Sequence, residues 1–221
     1  MDLLLLAESA LYLAAAFSSL ISVTAIASTE GAFSGHCIIF GTVALQGSTV
    51  IVQTFGSSSA CRFPLTASIF TAIYCFSNVA YWAFSACMGQ VHRSRSWSSW
   101  DALFLSVLAL LVLTAACELR SGLGYFCSSL FEVASRQHPL KTCRDAQKLN
   151  WTREYQTSNF YDHAVMGETT LWVELLLLLA LVLLLVTRVH IRENESCFPL
   201  PRYFGSVEER ATLIAAAPIP T

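Results

Sequence analysis

The sequence predicts an all-α membrane protein, a four-helix transmembrane bundle with a small β-rich cap on its exoplasmic side. Three observations point there. The 221-residue chain is 55% apolar and 13% charged, with mean hydropathy +0.56, whereas soluble proteins carry about 25% charged residues. Four apolar stretches are each able to cross a bilayer. Four cysteines and an Asn-x-Thr sequence fall in the two segments that such a chain would leave on one face. Net charge −2 and a pI near 6.2 leave no basic surface for nucleic acid.

Crossing about 30 Å of hydrocarbon takes roughly 20 mainly apolar residues in a helix. The spans read as residues 3–27, 65–88, 102–119 and 169–189. A helix is required because lipid offers no partner for a free backbone N–H or C=O. Span one carries Glu8 near its start. Ala25-Ile26-Ala27 has the small-x-small look of a cleavage site, but the preceding residues include Asp2 and no Lys or Arg. The apolar run also exceeds the usual 7–15 residues of a signal core, so an uncleaved anchor is expected. Span two follows Pro64, a residue suited to a first helical turn. Span three has the charge-free core Ala102–Cys117, and span four has the nearly unbroken run Leu175–Val186.

Basic residues orient the chain poorly. Arg93, Arg95, Arg188 and Arg192 flank the proposed inner side against Arg62 and Arg120 outside, which favours cytosolic termini. The last connection adds Arg136, Lys141, Arg144, Lys148 and Arg153 to the outer side, so the bias vanishes over whole loops. Cysteines and sequons decide. Loops 28–64 and 120–168 share one side and hold Cys37, Cys61, Cys127 and Cys143, and disulfides persist outside the cytosol. Asn150-Trp151-Thr152 lies on the same side as a glycosylation acceptor, while Asn194-Glu195-Ser196 lies opposite and stays bare. The expected division is a four-pass domain over 1–190 and a flexible cytosolic tail over 191–221.

In loop 28–64, Cys37–Leu45 and Val50–Phe55 are β-branched and aromatic segments around Gln46-Gly47-Ser48-Thr49, a hairpin signature. Four cysteines permit three pairings and sequence does not choose among them. Pairing within each loop is favoured because it needs no coincidence of loop geometry. A Cys127–Cys143 bond would close a 17-residue ring, worth about 3 kcal/mol in the chain-entropy model.

Four spans with a β-rich, cysteine-bearing first loop are similar to the claudin-type tetraspan architecture, although the Gly-Leu-Trp motif of claudin first loops is missing. The Cys-Cys-Gly motif of tetraspanins is absent too. The chain resembles the transmembrane protein 179 family, its B branch in particular. The resemblance rests on Gly31-Ala32-Phe33-Ser34-Gly35-His36-Cys37, Cys61-Arg62-Phe63, Cys143-Arg144-Asp145-Ala146-Gln147-Lys148, Asn150-Trp151-Thr152 and Asn159-Phe160-Tyr161. It runs to about Val189 and implies a four-pass protein of the plasma membrane or of secretory and endocytic vesicles. It carries over no catalytic or ligand-binding residue.

Glu174, just inside span four, is the most suggestive single side chain, because an intramembrane carboxylate usually has a partner or a task. Arg120 and polar groups of span two are its expected partners. Glu8 follows the same logic with more exposure. Asn78, beside Ser77, has the chemistry to join helices through its amide. Trp82, Trp97, Trp100 and Trp172 fit interfacial belts. Cys87 and Cys197 are juxtamembrane S-acylation candidates. The histidines at 36, 92, 138, 163 and 190 show no ligand spacing, so neither a metal nor another cofactor is expected. No phosphate loop, nucleophile elbow or paired-carboxylate arrangement supports an enzyme. In the tail, Glu209 followed by Leu213-Ile214 fits an acidic dileucine signal for clathrin adaptors.

These readings give a non-catalytic four-pass protein acting through other membrane proteins, as an accessory, scaffold or adhesion-like component that travels through vesicles. The alternative is an oligomeric channel or transport subunit using Glu174 and Asn78.

Overall fold

A computed structural model describes residues 3–47, 49–88, 95–134, 141–152, 155 and 157–197. Four long helices, α1 (Leu3–Ala32), α2 (Ser58–Cys87), α3 (Arg95–Ala134) and α4 (Phe160–Cys197), frame a hairpin of β1 (Thr42–Gln46) and β2 (Thr49–Thr54). All four helices are long and apolar enough to span a membrane. Each exceeds the expected span. At 1.5 Å per residue, α3 and α4 are roughly 60 and 57 Å long, about twice the hydrocarbon thickness.

The excess length is amphipathic helix rather than loop. Leu119, Leu123, Phe126 and Leu130 recur at three- and four-residue steps beyond span three, and all are buried. Phe160, Ala164, Leu171, Leu178 and Leu185 form the matching buried stripe of α4. Residues 120–134, expected as loop, are therefore helical, and Cys127 sits on α3. Likewise α2 begins at Ser58, which puts Cys61 in its first turns and Pro64 inside the helix instead of at its start. The proline removes the bond that would have reached the Ala60 carbonyl.

The helices close as a ring: α1 packs on α2 and α4, α3 on α4, and α2 meets α3 along the least extensive seam. Small residues on α1 (Ala15, Ala16, Ser19, Ser22 and Ala25) are all buried. Lipid supplies no hydrophobic drive between helices, so close approach over small side chains is what gives packing there. Conversely, Phe70, Phe84, Leu110, Leu176 and Leu183 are exposed on the outer wall, as lipid-facing positions require.

The hairpin caps the bundle end where α1 and α3 finish and α2 and α4 start. Its register runs Val43↔Val52 to Gln46↔Thr49, with an irregularity next to Thr42↔Thr54. The tight connection needs left-handed backbone, which Gly47 supplies at φ +69°. Val43 and Val50 turn inward.

Candidate functional site

The cap is built on Phe33, the residue after α1. Its fully buried ring meets Phe126 of α3, Trp151, Tyr155 and Phe160 of α4 at centroid separations of 5.4–6.2 Å. The contacts with Phe126, Trp151 and Phe160 are edge-to-face, and such pairs add about 0.5–1.5 kcal/mol each beyond burial. A 3₁₀ turn, Cys143–Lys148, lies beside α3 and α4. Its start is closed by a capping box of Thr142 and Asp145, in which the Thr142 hydroxyl and backbone N–H both donate to Asp145 Oδ2, at 2.8 and 3.0 Å. Those bonds hold the Asp145 carboxyl below its ordinary value.

Two disulfides fasten this end. Cys37 is bonded to Cys61, and Cys127 to Cys143. The first ties the chain after α1 to α2, and the second ties α3 to the capped turn. β2 gains a further partner on its open edge, where Val50 N–H donates to the Asn150 carbonyl at 2.8 Å. Trp151 is buried, its indole Nε1 donating to the Ala146 carbonyl at 2.8 Å, while the Asn150 side chain is exposed. Gly56 lets the chain after β2 cross the Cys37–Ile39 segment, since a Cβ there would fall 1.6 Å from the Ile39 carbonyl oxygen.

Four polar links run through the bundle. At the cap end Arg120 Nη1 pairs with Glu168 at 2.9 Å, with the arginine 73% exposed. At the far end Arg188 Nη1 pairs with Glu8 at 2.6 Å, with exposures of 12% and 0%. There too, Tyr74 OH donates to Asp101 Oδ1 at 3.0 Å and joins α2 to α3. In the middle, Glu174 is 0% exposed and accepts from Ser68 Oγ of α2 at 3.1 Å.

Several of these placements differ from the sequence reading. Arg120 pairs with Glu168, six residues or roughly 9 Å along α4 from Glu174; Glu174 takes the other expected partner, the polar face of span two. Because α4 starts at Phe160, Glu174 lies well inside the helix instead of near its end. Glu8 is buried and ion-paired, since α4 continues past Arg188 and brings that side chain back to α1. Asn78 donates to the Tyr74 carbonyl of its own helix at 3.0 Å and does not join helices. It stands ten residues, roughly 15 Å along α2, from Ser68, the partner of Glu174. Cys87 is exposed at the end of α2 away from the cap. The Cys197 side chain, Glu209, Leu213 and Ile214 lie outside the described residues. Among the described residues no group of three His, Cys, Asp or Glu gathers.

The Glu168 and Arg188 partnerships escaped the sequence reading. Their only sequence signal is charge on otherwise apolar helices, and that says nothing about which helices face each other.

A four-helix membrane bundle whose first connection is a cystine-fastened hairpin defines a claudin-like multi-pass membrane protein. Residues 4–213 match the Transmembrane protein 179/179B Claudin domain, and the chain belongs to that family. It is 33% identical to Transmembrane protein 179B of Mus musculus, over 77% of this chain and 76% of the relative. Against the Homo sapiens protein of that name the values are 30%, 82% and 81%, and against the Danio rerio one 29%, 84% and 84%. No solved structure matches the chain.

Proposed function

We propose that this protein is a non-catalytic accessory or adhesion-like component that works through contacts made by its cap. The observation that supports this most is the investment in the cap. Two disulfides, an aromatic cluster and backbone pairing from residues 150–152 hold it on the bundle. Its outer side carries aromatic rings: Phe40 on Tyr125 and Phe55 on His36, with centroids 6.2 and 4.6 Å apart. Phe40, Phe55 and Tyr125 are exposed, and rigid exposed aromatics are the side chains that anchor protein contacts. Phe40 holds φ +63°, a costly conformation for a bulky residue.

In this proposal the cap is exoplasmic, Asn150 carries a glycan, and both termini are cytosolic. The Asn150 side chain is exposed, so a glycan fits the folded cap. Cys87 and Cys197 are S-acylation sites on the cytosolic side, and Glu209 with Leu213-Ile214 brings clathrin adaptors for vesicle traffic. Proximity labelling from native membranes tests the reading, comparing wild type with Phe40→Ala/Tyr125→Ala and with Leu213→Ala/Ile214→Ala. The cap variant is expected to lose neighbours at unchanged location, and the tail variant to change location. An identical neighbour set for the cap variant refutes the contact role. A protease map with Cys37 and Cys143 on opposite faces refutes the orientation.

A further inference from the structure

We propose that the bundle contains a buried site for a small monovalent cation of sodium's size. Its ligands are the Glu174 carboxylate of α4, Ser19 and Ser22 of α1, and Ser68 and Thr71 of α2. All five side chains are fully buried. Ser68 Oγ stands 3.1 Å from Glu174 Oε2 and 3.3 Å from Ser22 Oγ. Oxygens so spaced surround an octahedral ion at roughly 2.2–2.3 Å, a range typical of hard cations held by oxygen.

Counting protons shows what the cluster lacks. A hydroxyl has one donor and two lone pairs. The Ser19 hydroxyl lies 2.8 Å from the Ala15 carbonyl and the Thr71 hydroxyl 3.0 Å from the Ala67 carbonyl, and both also reach the Glu174 carboxyl, so each has one proton for two acceptors. Ser68 has one proton for two acceptors, Ser22 Oγ and Glu174 Oε2. Glu174 Oε1 accepts no well-aligned hydrogen bond among the described residues. The cluster is therefore rich in lone pairs around a buried carboxylate oxygen, an arrangement that burial penalises unless a positive group enters.

No neighbouring arginine supplies that charge. Arg120 is held by Glu168 and Arg188 by Glu8, and Arg188 lies fourteen residues, roughly 21 Å, along α4. The other titratable side chain on this face of α2 is the buried thiol of Cys75, one turn past Thr71. One carboxylate balances one monovalent ion, whereas a divalent ion would leave a net buried charge. Carboxylate and hydroxyl oxygens are hard ligands, suited to this kind of cation and not to thiophilic metals.

The test uses the full chain in detergent micelles. Melting temperature is followed in NaCl and in an equal concentration of N-methylglucamine chloride, at pH 6 and pH 8, alongside sodium-23 NMR linewidths. Wild type should gain about 3–6 °C from a tenfold excess of sodium over its dissociation constant, and should broaden the sodium line. Glu174→Gln, close in shape and neutral, should lose both effects; Ser68→Ala should weaken them. An equal sodium response in wild type and Glu174→Gln overturns the proposal. So does a melting temperature that follows pH alone, which would leave the cluster holding only a proton. Should Glu174→Gln fail to fold, a wild-type titration without saturable sodium dependence still refutes the site.

Discussion

Replacing Phe33 with Ala removes the ring around which the cap is assembled. The side chain is fully buried and touches four aromatic rings from α3, α4 and the chain before α4. Truncating a buried Phe costs about 3–5 kcal/mol, and the rigid rings around it limit collapse of the cavity. For a chain of this size each kcal/mol moves the melting temperature by about 2–4 °C, so a drop of about 6–20 °C is expected. Phe33→Leu keeps most of the volume and should cost about 1.5 kcal/mol or less. Phe55→Ala, at a ring 37% exposed, is the control and should move the transition by no more than a few degrees. The assay is thermal unfolding in detergent with the rate of cystine reduction by dithiothreitol, because a loosened cluster uncovers the bond between Cys127 and Cys143. Equal, small shifts for Phe33→Ala and Phe55→Ala, with unchanged reduction rates, would refute the claim that this cluster holds the cap.

Three other outcomes follow from the same geometry. Arg188→Ala should destabilise the bundle by about 3–5 kcal/mol because both it and its partner Glu8 are buried; Arg120→Ala should cost less, because only the Glu168 side of that pair is buried and the arginine itself lies in solvent. Denaturant titration of both variants decides, and equal effects would contradict the burial difference. Gly56→Ala should lower stability by about 1–3 kcal/mol through collision with the Ile39 carbonyl, while Gly31→Ala, with open space around it inside α1, should be neutral or stabilising. Comparing the melting temperatures of the two variants checks this pair. The bonds from Thr142 lower the Asp145 pKa, so the cap on the Cys143–Lys148 turn is fully present above the ordinary carboxylate value. It is lost as pH falls through the lowered one. Protection of the Thr142 amide against exchange, relative to a free amide at the same pH, should therefore fall only in acid, and Asp145→Asn should remove that dependence.

Much of this architecture was legible in one sequence because lipid imposes a severe condition on the backbone. Uncharged runs long enough to span must be helices, and the hairpin announces itself through β-branched residues around Gly47. The four cysteines mark the capped end, though three pairings were open until the fold brought Cys37 to the start of α2 and Cys127 to the capped turn. Helix lengths were underestimated for a specific reason. Hydropathy sees only the lipid-facing length, whereas Leu119 to Leu130 and the start of α4 are amphipathic and packed against the cap.

The sequence by itself determined the class of protein, the number of crossings and the hairpin, since each follows from local composition and period. Tertiary structure alone decided which charges meet. Glu174 faces Ser68, Arg120 faces Glu168 and Arg188 faces Glu8 because ring closure and helix rotation set those pairs, and both depend on residues scattered over the whole chain. A carboxylate on one helix carries no local mark of the face that a second helix will present to it.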